Sequence, residues 1–344
     1  MRAIVKYRSG DGFVDLKEAP IPMIGADEVL VKVRVAGICG SDIHILHDEF
    51  LNYPPVIMGH EFAGQIVKMG KAVTGWEEGN RVVSEPHTGS CGLCWLCRTG
   101  NPQICPKKRP IGSGTNGAFA EFIKVPAWLL HRIPEGVSFE EASLTEPTAI
   151  CIHCVLETMR IAVGDFVAVL GPGPIGLLTA QLVREAGAGH VLIAGRSRDA
   201  DLRLKVAKKL GVQYLVNVDE EDLASEIENL TPREGADVVV EASGSPEAIN
   251  QAFQIVRRGG KICALGMTKK RKVEVPWNIG IVKGIQVVLP FSSGYTSWER
   301  ALALIASQRI DVRSLITHRF SLEDWSNAFS LVEKGQAIKA LLIP

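Results

Sequence analysis

The chain has 344 residues, 46% hydrophobic and 22% charged, with 34 glycines and 18 prolines. That balance excludes a disordered or collagen-like chain, and the length predicts about two domains at ~150 residues each. Basic and acidic residues both number 38, so the formal net charge is zero, which argues against nucleic acid as a partner of the whole chain.

The N-terminal stretch Met1 to Gly12 has no apolar run of the kind a secretory signal needs, and a cytoplasmic protein is expected. Residues 1 to about 150 read as strand- and turn-rich, with Val29 to Ala36 and Glu61 to Lys68 as strands. Beside them stand two glycine-flanked motifs, Gly37-Ile38-Cys39-Gly40-Ser41-Asp42-Ile43-His44 and Gly59-His60-Glu61-Phe62-Ala63-Gly64. A lone cysteine is most often a small core residue. A lone histidine beside a glutamate is most often packed or on the surface. Here Gly37, Gly40, Gly59 and Gly64 mark tight turns that can aim a side chain into a cleft.

Four of the 8 cysteines then crowd into Cys91-x-x-Cys94-x-x-Cys97 and Cys105. Disulfides between such close neighbours would close small, strained loops, and no export signal favours them. Four thiolates around one ion form a closed tetrahedral site, so a structural zinc is expected in a lobe spanning residues 85–112. An iron–sulfur cluster and reduced, unliganded thiols are the alternatives. A nucleic-acid zinc ribbon is disfavoured because the nearby basic cluster is only Lys107, Lys108 and Arg109.

Downstream, Leu144-Thr145-Glu146-Pro147-Thr148 precedes Cys151-Ile152-His153-Cys154 on an apparent helix. An i,i+3 cysteine pair shares one helical face, and core thiols explain it better than a third metal site. The longest charge-free apolar run, Phe166 to Val183, is as long as a membrane span. Its internal glycines and prolines instead predict a strand, a turn and a helix start, and no membrane association is expected.

From residue 165 strands alternate with helices. Asp165 to Leu170 is a buried strand, Gly171-Pro172-Gly173-Pro174-Ile175-Gly176 follows at once, Ile175 to Ala186 is helical, and His190 to Ala194 is the next strand. That context makes Gly171, Gly173, Pro174, Ile175 and Gly176 a dinucleotide-binding turn, with phosphates at the helix N-terminus. Further strands at 213–217, 237–241 and 261–265, with helices at 201–210 and 246–257, predict an α/β fold with a doubly wound parallel Rossmann sheet. Ser243, Leu265, Gly266 and Met267 fall at strand ends where the dinucleotide should lie, and the Leu289 to Ser293 stretch, with Phe291 and Ser292, is placed to close over the nicotinamide. The second strand ends in Gly195-Arg196-Ser197-Arg198, with no acid for the ribose hydroxyls. A small residue followed by arginine suits a 2′-phosphate, so NADP is favoured over NAD. The competing expectation puts these arginines on a solvated basic face with Arg203, Lys205, Lys208 and Lys209, or has Asp199 or Asp201 reaching the ribose. The tail adds a helix at 297–307, a strand at 317–320, a helix at 323–333 and a last strand at 339–343.

In this order, the Cys39–His44 and Gly59–Gly64 motifs, the cysteine lobe, Glu146-Pro147, Gly171–Gly176 and Ile316-Thr317-His318-Arg319-Phe320 resemble the zinc-dependent medium-chain dehydrogenase/reductase (alcohol dehydrogenase) family. The resemblance covers essentially the whole chain and is strongest to the sorbitol (polyol) dehydrogenase branch. It implies a barrel-like (GroES-like) catalytic domain over 1–150, a nucleotide domain over 151–292 and a C-terminal return over 293–344, with zinc, substrate and nicotinamide in the cleft between domains. It implies that Cys39 and His60 bind a catalytic zinc with Glu61 as a further ligand. Glu146, standing where alcohol dehydrogenases carry a second cysteine, either binds zinc or holds its water. Ser41 and His44 resemble the family's proton relay. The implied substrate is a secondary alcohol of polyol type, oxidised to a ketone, with threonine or a simple alcohol as alternatives and a homotetramer or dimer as the assembly. A nucleotide-binding regulator without turnover is the alternative of another class.

Overall fold

A computed structural model describes residues 1–232 and 234–344 and divides into two units. The first comprises residues 1–149, 293–308 and 312–344; the second comprises 150–292 and 309–311.

The first unit is built on a mixed seven-stranded sheet. The long strand Glu28–Gly37 pairs antiparallel along one side with Glu61–Met69, and along the other with Phe122–Pro126 at its start and Lys339–Ile343 at its end. Apolar residues alternate along it, and Val29, Val31, Val33 and Ala36 enter one core with Phe62, Ile66, Ile123 and Leu342. Arg81–Ser84 and Leu130–Arg132 extend the sheet beyond Glu61–Met69, and Ile316–Ser321 runs parallel to Lys339–Ile343 at the other edge. The helix Trp325–Glu333 makes that parallel crossover. His131, between Glu85 and Glu299 and stacked on Trp298, fastens the helix Tyr295–Ala306 to the Leu130–Arg132 strand. The consequence for function is a convergence. Gly37 lies opposite Glu61 in the register, Cys39 follows two residues later, and Lys339 opens the strand paired beside them.

The second unit is a six-stranded parallel sheet in the order Tyr214–Asn217, His190–Gly195, Phe166–Leu170, Ala236–Glu241, Val256–Ala264, Gln286–Val288. Phe166–Leu170 and Ala236–Glu241 are buried throughout, as the central strands of a sheet covered on both faces must be. The chain steps outward from Phe166–Leu170 to one side, then returns to Ala236–Glu241 on the other. The crevice at that switch point opens beyond Leu170 and Glu241.

The apolar run from Phe166 to Val183 is thus strand Phe166–Leu170 followed by helix Pro174–Glu185, and among the described residues no helix is long and apolar enough to cross a membrane. Two expected helices are less regular than their sequences predict. The 201–210 segment opens as a π-helical turn over Ala200–Leu204 before the α-helix Lys205–Lys209. This wider turn accompanies Asp199 being shared between the Arg196 backbone N–H and the Arg203 guanidinium. The α-helix Thr145–Cys151 likewise passes into a π-helical stretch over Ile152–Thr158.

Candidate metal centres and nucleotide site

The cysteine lobe brings Cys91, Cys94, Cys97 and Cys105 together with all four sulfurs within 4.8 Å of one another. Sulfur separations of 3.5 Å (Cys94–Cys97), 3.7 Å (Cys91–Cys105) and 3.8 Å (Cys94–Cys105) are far too long for disulfides. They match the edge of a tetrahedron with metal–sulfur bonds of about 2.3 Å, which is ~3.8 Å. Backbone N–H groups already point at this cluster: Cys94 donates to the Cys91 sulfur at 3.3 Å and Cys91 to the Cys105 sulfur at 3.4 Å. The amides of Leu93 and Cys94 pull the Cys91 thiol down to about 6, whereas burial and its neighbouring thiols push Cys97 up to about 12. Thiols packed this closely cannot all ionise unless one dication takes up the four thiolates.

The second cluster is built where the strands converge. Cys39 caps the short helix Gly40–Leu46, and its backbone N–H donates to Asp42 Oδ2 at 2.8 Å. His60 and Glu61 stand at the head of the paired strand, and donor atoms of Cys39, His60 and Glu61 lie within 4.8 Å of one another. Gly37 is required here, because a Cβ at that position would collide with the Glu61 carboxylate. His60 Nδ1 sits 3.6 Å from the buried Asp42 Oδ1. Burial opposes the His60 imidazolium, but the charges of Asp42 and Cys39 carry its pKa well above the ordinary value. Donors that hold a proton this firmly also suit a cation, and a carboxylate behind a ligating imidazole is the usual support for such a site.

Glu61 does not stand alone. The buried Lys339 ammonium donates to both of its oxygens, at 2.8 and 2.6 Å, and to the Ile38 carbonyl at 3.1 Å. Glu146, on the first turn of its helix, lies outside the three-residue donor group but within its electrostatic reach. Burial, together with Glu61 and Asp42, pushes Glu146 up to about 7 against the offsetting charges of His60 and Lys339. Ser41 and His44 share one face of the helix that Cys39 caps, and His44 Nδ1 is 2.9 Å from Glu49 Oε2.

In the second unit, Gly171 leaves the central strand and the helix Pro174–Glu185 begins at once, with Gly173 as its cap. A Cβ on Gly176 would collide with the Gly171 carbonyl, which explains the third glycine of the motif. Ser243, Leu265, Gly266 and Met267 fall at the carboxyl edges of their strands. Glu241 gathers this edge by accepting from the Ser243 and Gly244 amides and the Ser243 hydroxyl. Phe291 and Ser292 lie beyond the strand Gln286–Val288, with Phe291 half exposed and Ser292 at φ +64°. Gly195 ends the second strand, and Arg196 and Ser197 follow it into solvent. Asp199 is held by the Arg196 backbone N–H and the Arg203 guanidinium, and Asp201 pairs with Lys205.

Cys151, His153 and Cys154 do not form a donor group: the Cys151 thiol donates to the Ile175 carbonyl at 3.5 Å, His153 pairs with Glu157 at 3.1 Å, and a hydrogen bond with Cys263, with burial, pushes the Cys154 thiol far upward. Sequence reasoning missed three residues of these sites. Lys339 is 278 residues from Glu61, and a lysine opening an apolar C-terminal strand carried the only signal. Asp42 backs His60, and an acid at the third position of a capped helix was the clue. Asp219, which meets Arg196, gave none.

Two family models match the chain, one described as an alcohol dehydrogenase GroES-like domain over residues 25–135 and one as a zinc-binding dehydrogenase over residues 174–307. The chain is 38% identical to a sorbitol dehydrogenase of Halalkalibacterium halodurans, covering 100% of this chain and 99% of that one. It is 36% identical to an L-threonine 3-dehydrogenase of Bacillus licheniformis, covering 100% and 99%. Among solved structures, a Sinorhizobium meliloti protein described as a zinc-binding dehydrogenase, bound to NADP, superposes with a TM-score of 0.91 at 33% identity, covering 100% and 99%.

Proposed function

This chain belongs to the zinc-dependent medium-chain dehydrogenase/reductase family and moves hydride between a secondary alcohol and NAD(P), and we propose that Cys39, His60 and Glu61 hold its catalytic zinc for the oxidation of polyols to ketones. Convergence of those three donors beside a buried Glu146 with a raised pKa supports this most strongly. A mixed sulfur, imidazole and carboxylate set leaves a position open, unlike the closed four-thiolate lobe. A nucleotide-binding regulator has no use for such an open set.

When bound, zinc supplies Lewis-acid polarisation of the alcohol oxygen and the nicotinamide accepts the hydride. The chain's own groups manage the proton. Ser41 Oγ takes the hydroxyl proton from the substrate and passes it to His44, one helical turn on. With Nδ1 engaged by Glu49, His44 exchanges that proton through Nε2. Glu146, buried beside the donor set, stands where it can complete that set or hold the water at the same centre. Asp42 fixes the His60 ring, and Lys339 holds the Glu61 carboxylate.

NADP is the favoured cofactor, because the second strand ends in Gly195 and both aspartates that follow are tied elsewhere; the Sinorhizobium relative, solved with NADP, supports this. A homo-oligomer is favoured by the helix Trp277–Lys283 and the edge strand beside it, where Trp277, Ile281, Val282 and Leu289 are mostly exposed.

The test is turnover of sugar alcohols, L-threonine and simple secondary alcohols with either cofactor, followed by nicotinamide absorbance. Polyols with NADP are expected to give the highest kcat/KM. Threonine leading by tenfold or more would select the second reading, to which the Bacillus relative points, and no turnover with any alcohol would end both.

Two zinc ions per chain follow from the two donor sets, and Cys94→Ser separates their roles. The variant is expected to bind one zinc fewer by elemental analysis and to unfold at a lower temperature, while the folded fraction keeps kcat within about twofold. A kcat loss of a hundredfold at full zinc content would contradict a purely structural lobe.

A further inference from the structure

We propose that Asp219 is a built-in occupant of the site for the cofactor's 2′-phosphate and thereby sets how strongly this chain separates NADP from NAD. The inference deepens the NADP preference proposed above and rests on it. In a sheet of this topology the loop after the second strand meets the adenosine ribose. Here that loop is Arg196-Ser197, and its neighbour in the register is the end of the strand Tyr214–Asn217, since Gly195 lies opposite Asn217. Asp219, two residues past that end, reaches back across. Its Oδ2 accepts from the Ser197 backbone N–H at 2.9 Å and its Oδ1 from Arg196 Nε at 3.1 Å. The Asn217 amide donates to Ser197 Oγ at 3.1 Å and holds the hydroxyl on the same side.

A backbone amide, a guanidinium and a hydroxyl are the donors that a phosphate monoester recruits, and arginine with a backbone N–H is a strong charge-assisted pair for it. In this chain those donors already hold an anion, and that anion is a side chain. Of the neighbouring acids, Asp199 pairs with Arg196 N–H and Arg203, Asp201 with Lys205, Glu221 with the Asn217 N–H and Asp222 with Ser225, whereas Asp219 is the one that accepts from both Arg196 Nε and Ser197 N–H. Asp219 is therefore the carboxylate an incoming 2′-phosphate displaces. The exchange is open to solvent, because the Arg196 side chain is 64% exposed and that of Asp219 33%. A phosphate entering must turn the carboxylate out and then bind beside its charge. A ribose hydroxyl asks for no such exchange, so the carboxylate lowers affinity for the phosphorylated cofactor and leaves the other unchanged.

The experiment needs no turnover. Calorimetric titration of the full-length, metal-loaded protein with 2′,5′-ADP and with 5′-AMP reads the adenosine half alone. Asp219→Asn keeps the size of the side chain and removes its charge. It is expected to tighten 2′,5′-ADP about fivefold while 5′-AMP stays within twofold. Asp219→Glu keeps the charge and should show no gain. Arg196→Gln should weaken 2′,5′-ADP alone. The proposal is overturned if Asp219→Asn leaves 2′,5′-ADP unchanged or weaker, if it weakens 5′-AMP as a ribose-binding acid would, or if Arg196→Gln leaves 2′,5′-ADP unaffected. The wild-type ratio reports separately on cofactor choice. A wild type that prefers 5′-AMP, combined with an Asp219→Asn gain, would remove the NADP preference and keep the role of Asp219.

Discussion

Cys39→Ser is expected to lower kcat by roughly three to four orders of magnitude while the protein stays folded and binds 2′,5′-ADP within about twofold of wild type. The thiolate is the one soft ligand of its donor group, so serine changes both the charge and the softness of the set. The fold should tolerate the change. Cys39 is partly exposed at a helix cap, and its structural hydrogen bond to Asp42 comes from the backbone N–H, which serine retains. Nucleotide binding should persist because the glycine turn belongs to the other unit. Steady-state turnover, circular dichroism and calorimetry check the three parts. Activity above a tenth of wild type would remove Cys39 from the metal centre, and loss of nucleotide binding would show the two sites to be coupled.

The elements that were legible in the sequence are those whose information is local. The cysteine lobe is a spacing pattern within 15 residues, and the nucleotide turn is a strand, a glycine run and a helix in direct succession. Each is supported by the residues that flank it in the chain. What escaped is cross-chain charge pairing. Glu61 read as a plain metal ligand because nothing near it in the chain announces Lys339, and Arg196 read as a 2′-phosphate binder or part of a solvated basic face because Asp219 lies on the loop of the next strand. The irregular turns at 152–158 and 200–204 escaped for a related reason: hydrophobic periodicity marks a helix without recording how tightly it is wound. The same blindness left the choice between Glu61 and Glu146 open. The register of Glu28–Gly37 against Glu61–Met69 is what draws Glu61 in with Cys39 and His60.

In the zinc-free protein, Lys339→Met is expected to cost about 3–5 kcal/mol of unfolding free energy, the largest stability effect anticipated for any single substitution here. The ammonium is buried and gives both oxygens of the buried Glu61 a partner, so its removal strands a carboxylate where water cannot reach it. Methionine fills a similar volume, which isolates the charge from the packing. Burial alone would lower the Lys339 pKa, but Glu61, Cys39 and Glu146 raise it above its ordinary 10.5. A raised lysine contributes stability that is fully present below the unfolded value and lost only as pH climbs past the folded one, so urea denaturation at pH 7 reads the whole effect. Lys339→Arg, which keeps the charge, should recover part of the loss. The decisive comparison is the double variant Lys339→Met with Glu61→Gln. If the penalty is the stranded charge, the second substitution restores most of the stability even though it removes a further polar contact. If the losses simply add, the pair is packing alone. In that case a positioning role for Lys339 behind the metal centre fails with it, since a carboxylate indifferent to its partner's charge is not held by it.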